Sequence, residues 1–150
     1  MCFICDRIDL IKRGENPYFV KELETGYVVI GDNQRFFGYT VFLCKRHVSE
    51  LFDLEPDFRA KHLIEMTYVA QAVKNAFPCE KMNYECLGNG ESHVHWHLYP
   101  RRTGDLGDHG VNGKGPVWFL PAEERWWEDR ITGEEAEAMK RKLLTELDQR

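Results

Sequence analysis

The chain has 150 residues, 43% of them hydrophobic and 30% charged, with a formal net charge of −5. That is the length and composition of one soluble globular domain with a core that needs no disulfides. The acidic balance argues against nonspecific nucleic-acid binding, and no apolar run approaches the roughly 20 residues of a membrane helix. With no signal peptide after Met1, the expected location is cytoplasmic. There the five cysteines serve metal ligation or plain burial, because thiols stay reduced.

The N-terminal Cys2-Phe3-Ile4-Cys5 is a Cys-x-x-Cys, a spacing that lets two thiolates reach one tetrahedral zinc. A redox pair would need a preceding strand, and two incidental thiols are the bland alternative. Ile8 to Lys12 reads as a short helical turn ended by Arg13 to Pro17. Tyr18–Leu23 and Tyr27–Gly31, joined by Glu24-Thr25-Gly26, read as two strands rich in strand formers. Residues 31–35 form a loop, and Gly38–Cys44 is a third strand leading to Lys45-Arg46-His47.

A helix starts at Asp53-Leu54-Glu55-Pro56, with Pro56 suited to the first turn. Leu63, Met66, Ala70, Val73 and Phe77 give it one apolar face, and Pro78 ends it. His62 lies off that stripe and is expected in solvent. Met82–Leu87 is a fourth strand. Gly88 to Ser92 turns it into Ser92-His93-Val94-His95-Trp96-His97-Leu98-Tyr99-Pro100 as a hairpin. Side chains two apart on a strand share a face about 6.6 Å apart. His93, His95 and His97 are therefore expected on one face, with Val94, Trp96 and Leu98 on the core side. Such a row can bind a metal, or supply a nucleophile and a proton donor. The alternative is a half-exposed strand whose histidines are merely polar.

Residues 101–115 carry five glycines and read as a loop. The aromatic run Pro116 to Pro121 and Trp126-Trp127 suggest a segment docked over the site or across a dimer. Thr132-Gly133-Glu134-Glu135 is a capping box, Thr132 at the N-cap and Glu135 at N3. Ala136, Met139, Leu143, Leu144 and Leu147 follow on one face of a C-terminal helix.

The run His93 to Tyr99 follows the pattern His-φ-His-φ-His-φ-φ, with φ apolar, and resembles the histidine triad (HIT) family of nucleotide hydrolases and transferases. Lys45-Arg46-His47 and the opening Cys-x-x-Cys are similar to its zinc-containing branch. Asn83 to Asn89 followed by His93 to Arg101 looks like a bacterial group within it. The resemblance covers residues 1–101. It implies an α+β fold: one five-stranded antiparallel sheet with a long helix on one face and a C-terminal helix, in a single domain over 1–150. It implies that His95 attacks the α-phosphorus of a nucleotide to give a covalent nucleotidyl-histidine, with His97 on the leaving-group side. Cys2, Cys5, His47 and His93 would hold a structural zinc. Asp32 or Asn33 would meet the ribose, since the loop to Gly38 is one residue short. Phe3 and Ile4 would pack on the base or belong to the core, and Asn89 and Ser92 would donate to the phosphate. Cys44 stands where relatives carry proline, and the 88–92 loop is shorter than theirs.

The implied activity is hydrolysis of a nucleoside 5′-phosphate derivative, either a dinucleoside polyphosphate or an adenosine phosphoramidate. A nucleotidyl transferase or phosphorylase, and a nucleotide-binding zinc protein without turnover, are the alternatives. A catalytic metal on all three histidines is also conceivable. The expected partners are a small-molecule nucleotide and a second copy of the chain, with no nucleic acid and no membrane.

Overall fold

The structure is a computed structural model that describes residues 1–125 and 130–149; Trp126-Trp127 lie outside the described residues. Five strands form one antiparallel sheet in the order β1-β2-β3-β5-β4. They are β1 (Phe19–Glu22), β2 (Gly26–Ile30), β3 (Thr40–Cys44), β4 (Lys81–Glu85) and β5 (His95–Arg101). The helices are α1 (Phe3–Lys12), α2 (Pro56–Ala76), the single turn α3 (Ala122–Arg125) and α4 (Gly133–Leu147). This is the α+β architecture that the sequence implies.

The two-residue period of the strands sorts their side chains into two layers. Val28, Ile30, Phe42, Trp96 and Leu98 point to one face, where α2 and α4 cover them in the main core. Tyr27, Val29 and Leu43 point to the other, under Ile4, Ile8 and Ile11 of α1. Further along that second face, Tyr39 and Tyr99 pack with Leu106, Val117 and Leu120 of the C-terminal segment. The sheet surface between α1 and this segment carries His95 and His97. Two glycines make the layers possible. A Cβ at Gly26 would sit 2.5 Å from the Phe42 ring. Gly38, at φ +95°, has Phe77 and Pro100 against it, which only a residue without a side chain tolerates.

Four expectations need correction. First, α1 is ten residues long, not a turn from Ile8. Cys2 caps it, its Sγ accepting from the Cys5 N–H at 3.4 Å, and Ile4, Ile8 and Ile11 form its buried stripe. Second, His62 is fully buried rather than solvated. The inward face of α2 carries the buried residues 62, 66, 69, 70, 72, 73 and 76; Met66, Ala70, Val73 and Phe77 of the expected stripe lie in the core, Leu63 is only half-buried, and the face is wide enough to take in His62. Third, β5 begins at His95, so His93 and Val94 precede the strand. Val94 instead exchanges backbone hydrogen bonds with Val48 and Cys44, and this turns His93 toward the N-terminus. Fourth, Thr132 is the N-cap of α4 but makes no side-chain capping bond. Gly133, at φ +57°, departs from helical geometry in the turn that a capping box requires.

His62 is held by a complete chain of hydrogen bonds. Trp96 Nε1–H donates to His62 Nε2 at 3.2 Å, and Nδ1 meets the Thr25 hydroxyl at 3.0 Å. Thr25 in turn donates to the Glu65 carboxylate. Burial pushes the His62 pKa down to about 4, so the ring is neutral and its two nitrogens split into one donor and one acceptor.

Arg101 ends β5. Its guanidinium forks onto both oxygens of Asp105 at 2.8 and 2.9 Å, and also reaches Asn83 and the Gly115 carbonyl. This nearly buried cation is satisfied at several of its donors, as a buried charge must be. It ties the glycine-rich loop to the sheet.

Candidate metal centre and reaction cleft

The histidine run divides between two sites. At the first, four ligand atoms from three parts of the chain converge: Cys2 Sγ, Cys5 Sγ, His47 Nδ1 and His93 Nδ1, all within 4.8 Å of one another. The two nitrogens are 3.2 Å apart, and sulfur–nitrogen separations are 3.3 to 3.5 Å. Tetrahedral zinc with ordinary Zn–N and Zn–S bonds would set these edges at about 3.3 and about 3.6 Å. The His93 tautomer also fits. Its Nε2 lies 2.8 Å from the Cys44 carbonyl, so that nitrogen carries the proton and Nδ1 offers its lone pair to the cluster. Burial and the adjacent Cys2 thiol push the Cys5 pKa up to about 11, so this thiol resists ionising without a cation beside it. The donor set, spacing and tautomer all fit a closed Cys₂His₂ metal site.

At the second site the tautomer is reversed. His95 Nδ1 is 2.7 Å from the His93 carbonyl. A carbonyl only accepts, so Nδ1 carries the proton and Nε2 keeps the lone pair. The ring is only 8% exposed, yet it borders a cleft of about 620 Å³. His97 lies beside it, ring centroids 4.8 Å apart. The Tyr39 hydroxyl is 2.5 Å from His97 Nδ1, with the two rings stacked. Burial pushes the Tyr39 hydroxyl well above the ordinary tyrosine range. It therefore stays protonated and donates, leaving the His97 proton on Nε2. Burial, and then the neighbouring His95, push the His97 pKa down to about 4, so this ring is neutral near pH 7.

The cleft is walled by α1 through Phe3, Ile4 and Arg7, and by Val29, Ile30 and Asp32 of the sheet and the loop after it. Of the six residues expected at a nucleotide, Asp32, Phe3 and Ile4 line it. Ile4 also belongs to the α1 core, whereas Phe3 is 53% exposed. Asn33 is not brought to it: the side chain is buried and its Oδ1 accepts from the Arg35 N–H. Asn89 and Ser92 lie in separate clefts that also reach His95, Asn89 beside Trp118 and Ser92 near Glu50 to Phe52.

Three features had no sequence signature. Tyr39 sits two residues before the Val41–His97 pair on β3, and only the sheet order brings it to His97. Gln34 bonds the Gly31 and Tyr39 carbonyls and the Gly38 N–H, clamping the loop that carries Asp32. Arg130 lines the cleft and lies 3.8 Å from Asp32.

The model of the HIT domain matches residues 18–104. A HIT-like protein of Mycobacterium tuberculosis (strain H37Rv) is 30% identical over 114 residues, covering 69% of this chain and 74% of that protein. The chain therefore belongs to the HIT family. A histidine triad protein from Sinorhizobium meliloti 1021 superposes with a TM-score of 0.70 at 26% identity, over 90% of this chain and 93% of that one. A zinc-bound histidine triad family protein from Mycobacterium smegmatis shares the fold, with a TM-score of 0.65 at 22% identity over 99% and 94% of the two chains. Among the described residues no helix is long and apolar enough to cross a membrane.

Proposed function

We propose that the protein hydrolyses a nucleoside 5′-phosphate derivative through a covalent intermediate on His95. The observation that carries this reading is the hydrogen bond from His95 Nδ1 to the His93 carbonyl, which leaves the Nε2 lone pair available beside a cleft of nucleotide size. In the first half-reaction Nε2 attacks the α-phosphorus, and the bond to the leaving atom breaks with its electron pair. That atom takes up one proton drawn from solvent through Nε2 of the neutral His97, and the attacking water of the second half-reaction gives one back. Water then attacks phosphorus, the P–N pair returns to His95, and one water has been consumed. Dividing the displacement into two easier steps is the gain of nucleophilic catalysis.

The apolar wall of Phe3 and Ile4 supports a role against the base, and Asp32 one at the ribose hydroxyls. Asn89 and Ser92 line clefts that include His95, which supports a role for them as donors to a phosphate in which charge develops. Cys2, Cys5, His47 and His93 would hold a zinc ion, as the zinc-bound relative does a zinc ion of its own. Such an ion crosslinks the N-terminus to the segments after β3 and before β5. Residues 1–150 would act as one domain, in the cytoplasm. The edge position of β4 and exposed Tyr84 on it support pairing with a second copy.

The deciding experiment is a trap. Brief incubation with an adenosine 5′-phosphate derivative labelled at the α-phosphorus, then acid-free denaturation, should leave label on the wild type and none on His95→Asn. Label retained by the variant, or turnover without any labelled protein, would sink the covalent reading.

A further inference from the structure

The larger cleft takes in the two histidines and, past the end of β2, Gly31 and Asp32. Its charges are unevenly placed. Glu91 belongs to the histidine end, because it also lines the neighbouring cleft together with His95 and His97. Arg7 and Arg130 share the cleft with Asp32.

Arg130 lies outside the stretch that matches the HIT domain, and the backbone fixes its position. Residue 130 forms an antiparallel bridge with Asn33. The Ile131 N–H donates to the Asp32 carbonyl at 3.0 Å, and the Tyr18 hydroxyl donates to the Ile131 carbonyl at 3.1 Å. The Ile131 side chain is buried in the main core. The C-terminal segment is thus fastened to the loop that carries Asp32.

The guanidinium itself is loosely engaged. It stands 3.8 Å from the Asp32 carboxylate with its side chain 70% exposed. Among the described residues that is its one ion pair. Arg7, on the α1 wall, lies over the Phe3 ring at 4.3 Å and forms no ion pair among the described residues. Two cations therefore stand against one carboxylate where the ribose would lie.

A carboxylate alone would accept from ribose hydroxyls and repel a phosphate. Here a hydroxyl held by Asp32 at about 2.8 Å leaves a phosphate on the neighbouring ribose oxygen within a short swing of the Arg130 guanidinium. Arginine meets phosphate as a planar fork of N–H donors. Giving up a loose, exposed ion pair for that contact costs little.

Resting on the proposed nucleotide chemistry at His95, we infer that this end of the cleft is a second anion subsite. It selects nucleotides that carry a further phosphate on the ribose 2′- or 3′-oxygen, and Arg130 is the specificity-determining residue.

One adenosine scaffold tests binding and turnover separately. Calorimetry compares adenosine 5′-monophosphate with adenosine 2′,5′- and 3′,5′-bisphosphate. Kinetics compare adenosine 5′-phosphoramidate with its 2′- and 3′-phosphate derivatives. The wild type should bind one of the bisphosphates at least tenfold tighter than the monophosphate. It should turn over the matching phosphoramidate with at least tenfold higher kcat/KM. Arg130→Ala should bring both ratios within threefold of one, and Arg130→Glu should invert them. Arg130→Lys, which keeps the charge without the fork, should retain part of the preference. Arg141→Ala, which removes an exposed cation on α4 paired with Glu134, should leave the ratios unchanged.

A wild-type ratio near one in either measurement, ratios that survive both Arg130→Ala and Arg130→Glu, or an equal loss in Arg141→Ala would overturn the inference. Turnover without preference removes this inference and leaves the hydrolase reading intact. The Kd order without turnover keeps the subsite and removes the hydrolase. Absence of both binding and turnover removes both.

Discussion

His93 and His95 are two residues apart, yet the structure gives them opposite chemistry. His93 meets a backbone carbonyl through Nε2 and turns Nδ1 toward two thiols and His47. His95 meets one through Nδ1 and leaves Nε2 beside the cleft. The carbonyl hydrogen bond decides in each case which nitrogen is basic. One residue type thus serves a closed site and an open one, and the difference lies in the backbone and not in the sequence pattern.

Removing the proposed nucleophile of the open site is the strongest way to break this pairing. His95→Asn should lower kcat by roughly 10⁴-fold or more while zinc stays near one equivalent per chain. Loss of zinc in that variant, measured by elemental analysis, would mean that the two ends are not separate.

The closed site should show the reverse. Cys5→Ser, or chelation of the wild type, removes an ion that stabilises the native state by about 4 kcal/mol when present at a thousand times its Kd. That corresponds to a fall in Tm of roughly 8–16 °C for a chain of this size. A Tm unmoved by chelator, with metal verified absent, would count against the cage.

His62 sharpens the comparison, because it is a third histidine with neither job. Its folded pKa of about 4 lies below the ordinary unfolded value near 6.5. Between these values the unfolded chain binds the proton and the native one does not, so stability falls as pH drops through that window. From pH 7 to pH 5 the wild type should lose about 2 kcal/mol more than His62→Gln in urea unfolding. Equal losses would show that His62 is protonated in place.

The smallest expected effect is at Tyr39. Tyr39→Phe removes the hydroxyl that fixes the His97 tautomer and should lower kcat about tenfold, with KM changed less than threefold. An effect on KM alone would give Tyr39 a binding role instead.

Much of this was legible in the residues. The alternation from His95 to Leu98 places two imidazoles on one face and Trp96 and Leu98 in the core, and the strand and helix order follows from local patterning. What was not legible depends on tertiary placement. The inward row of α2 is set by which face meets Trp96 and Thr25, so His62 could not be told from a surface histidine. His93 carries the parity of a strand residue, but Val94 pairs with Val48 and Cys44 before the strand begins. Tyr39 and Trp118 reach the histidines only through sheet order and the anchoring of a long loop, and neither is marked by spacing. Asp32 and Asn33 are adjacent, and only the folded loop turns one to the cleft and the other inward.

Cys2 is both the N-cap of α1 and a member of the cysteine–histidine cluster. The next residues of the same helix, Phe3, Ile4 and Arg7, wall the larger cleft. An ion gripped at the helix start therefore stiffens the surface on which a nucleotide would rest. Were that stiffening to raise nucleotide affinity, thermodynamic reciprocity would require a bound nucleotide to tighten the grip on the ion by the same factor, making metal content and nucleotide affinity one coupled quantity.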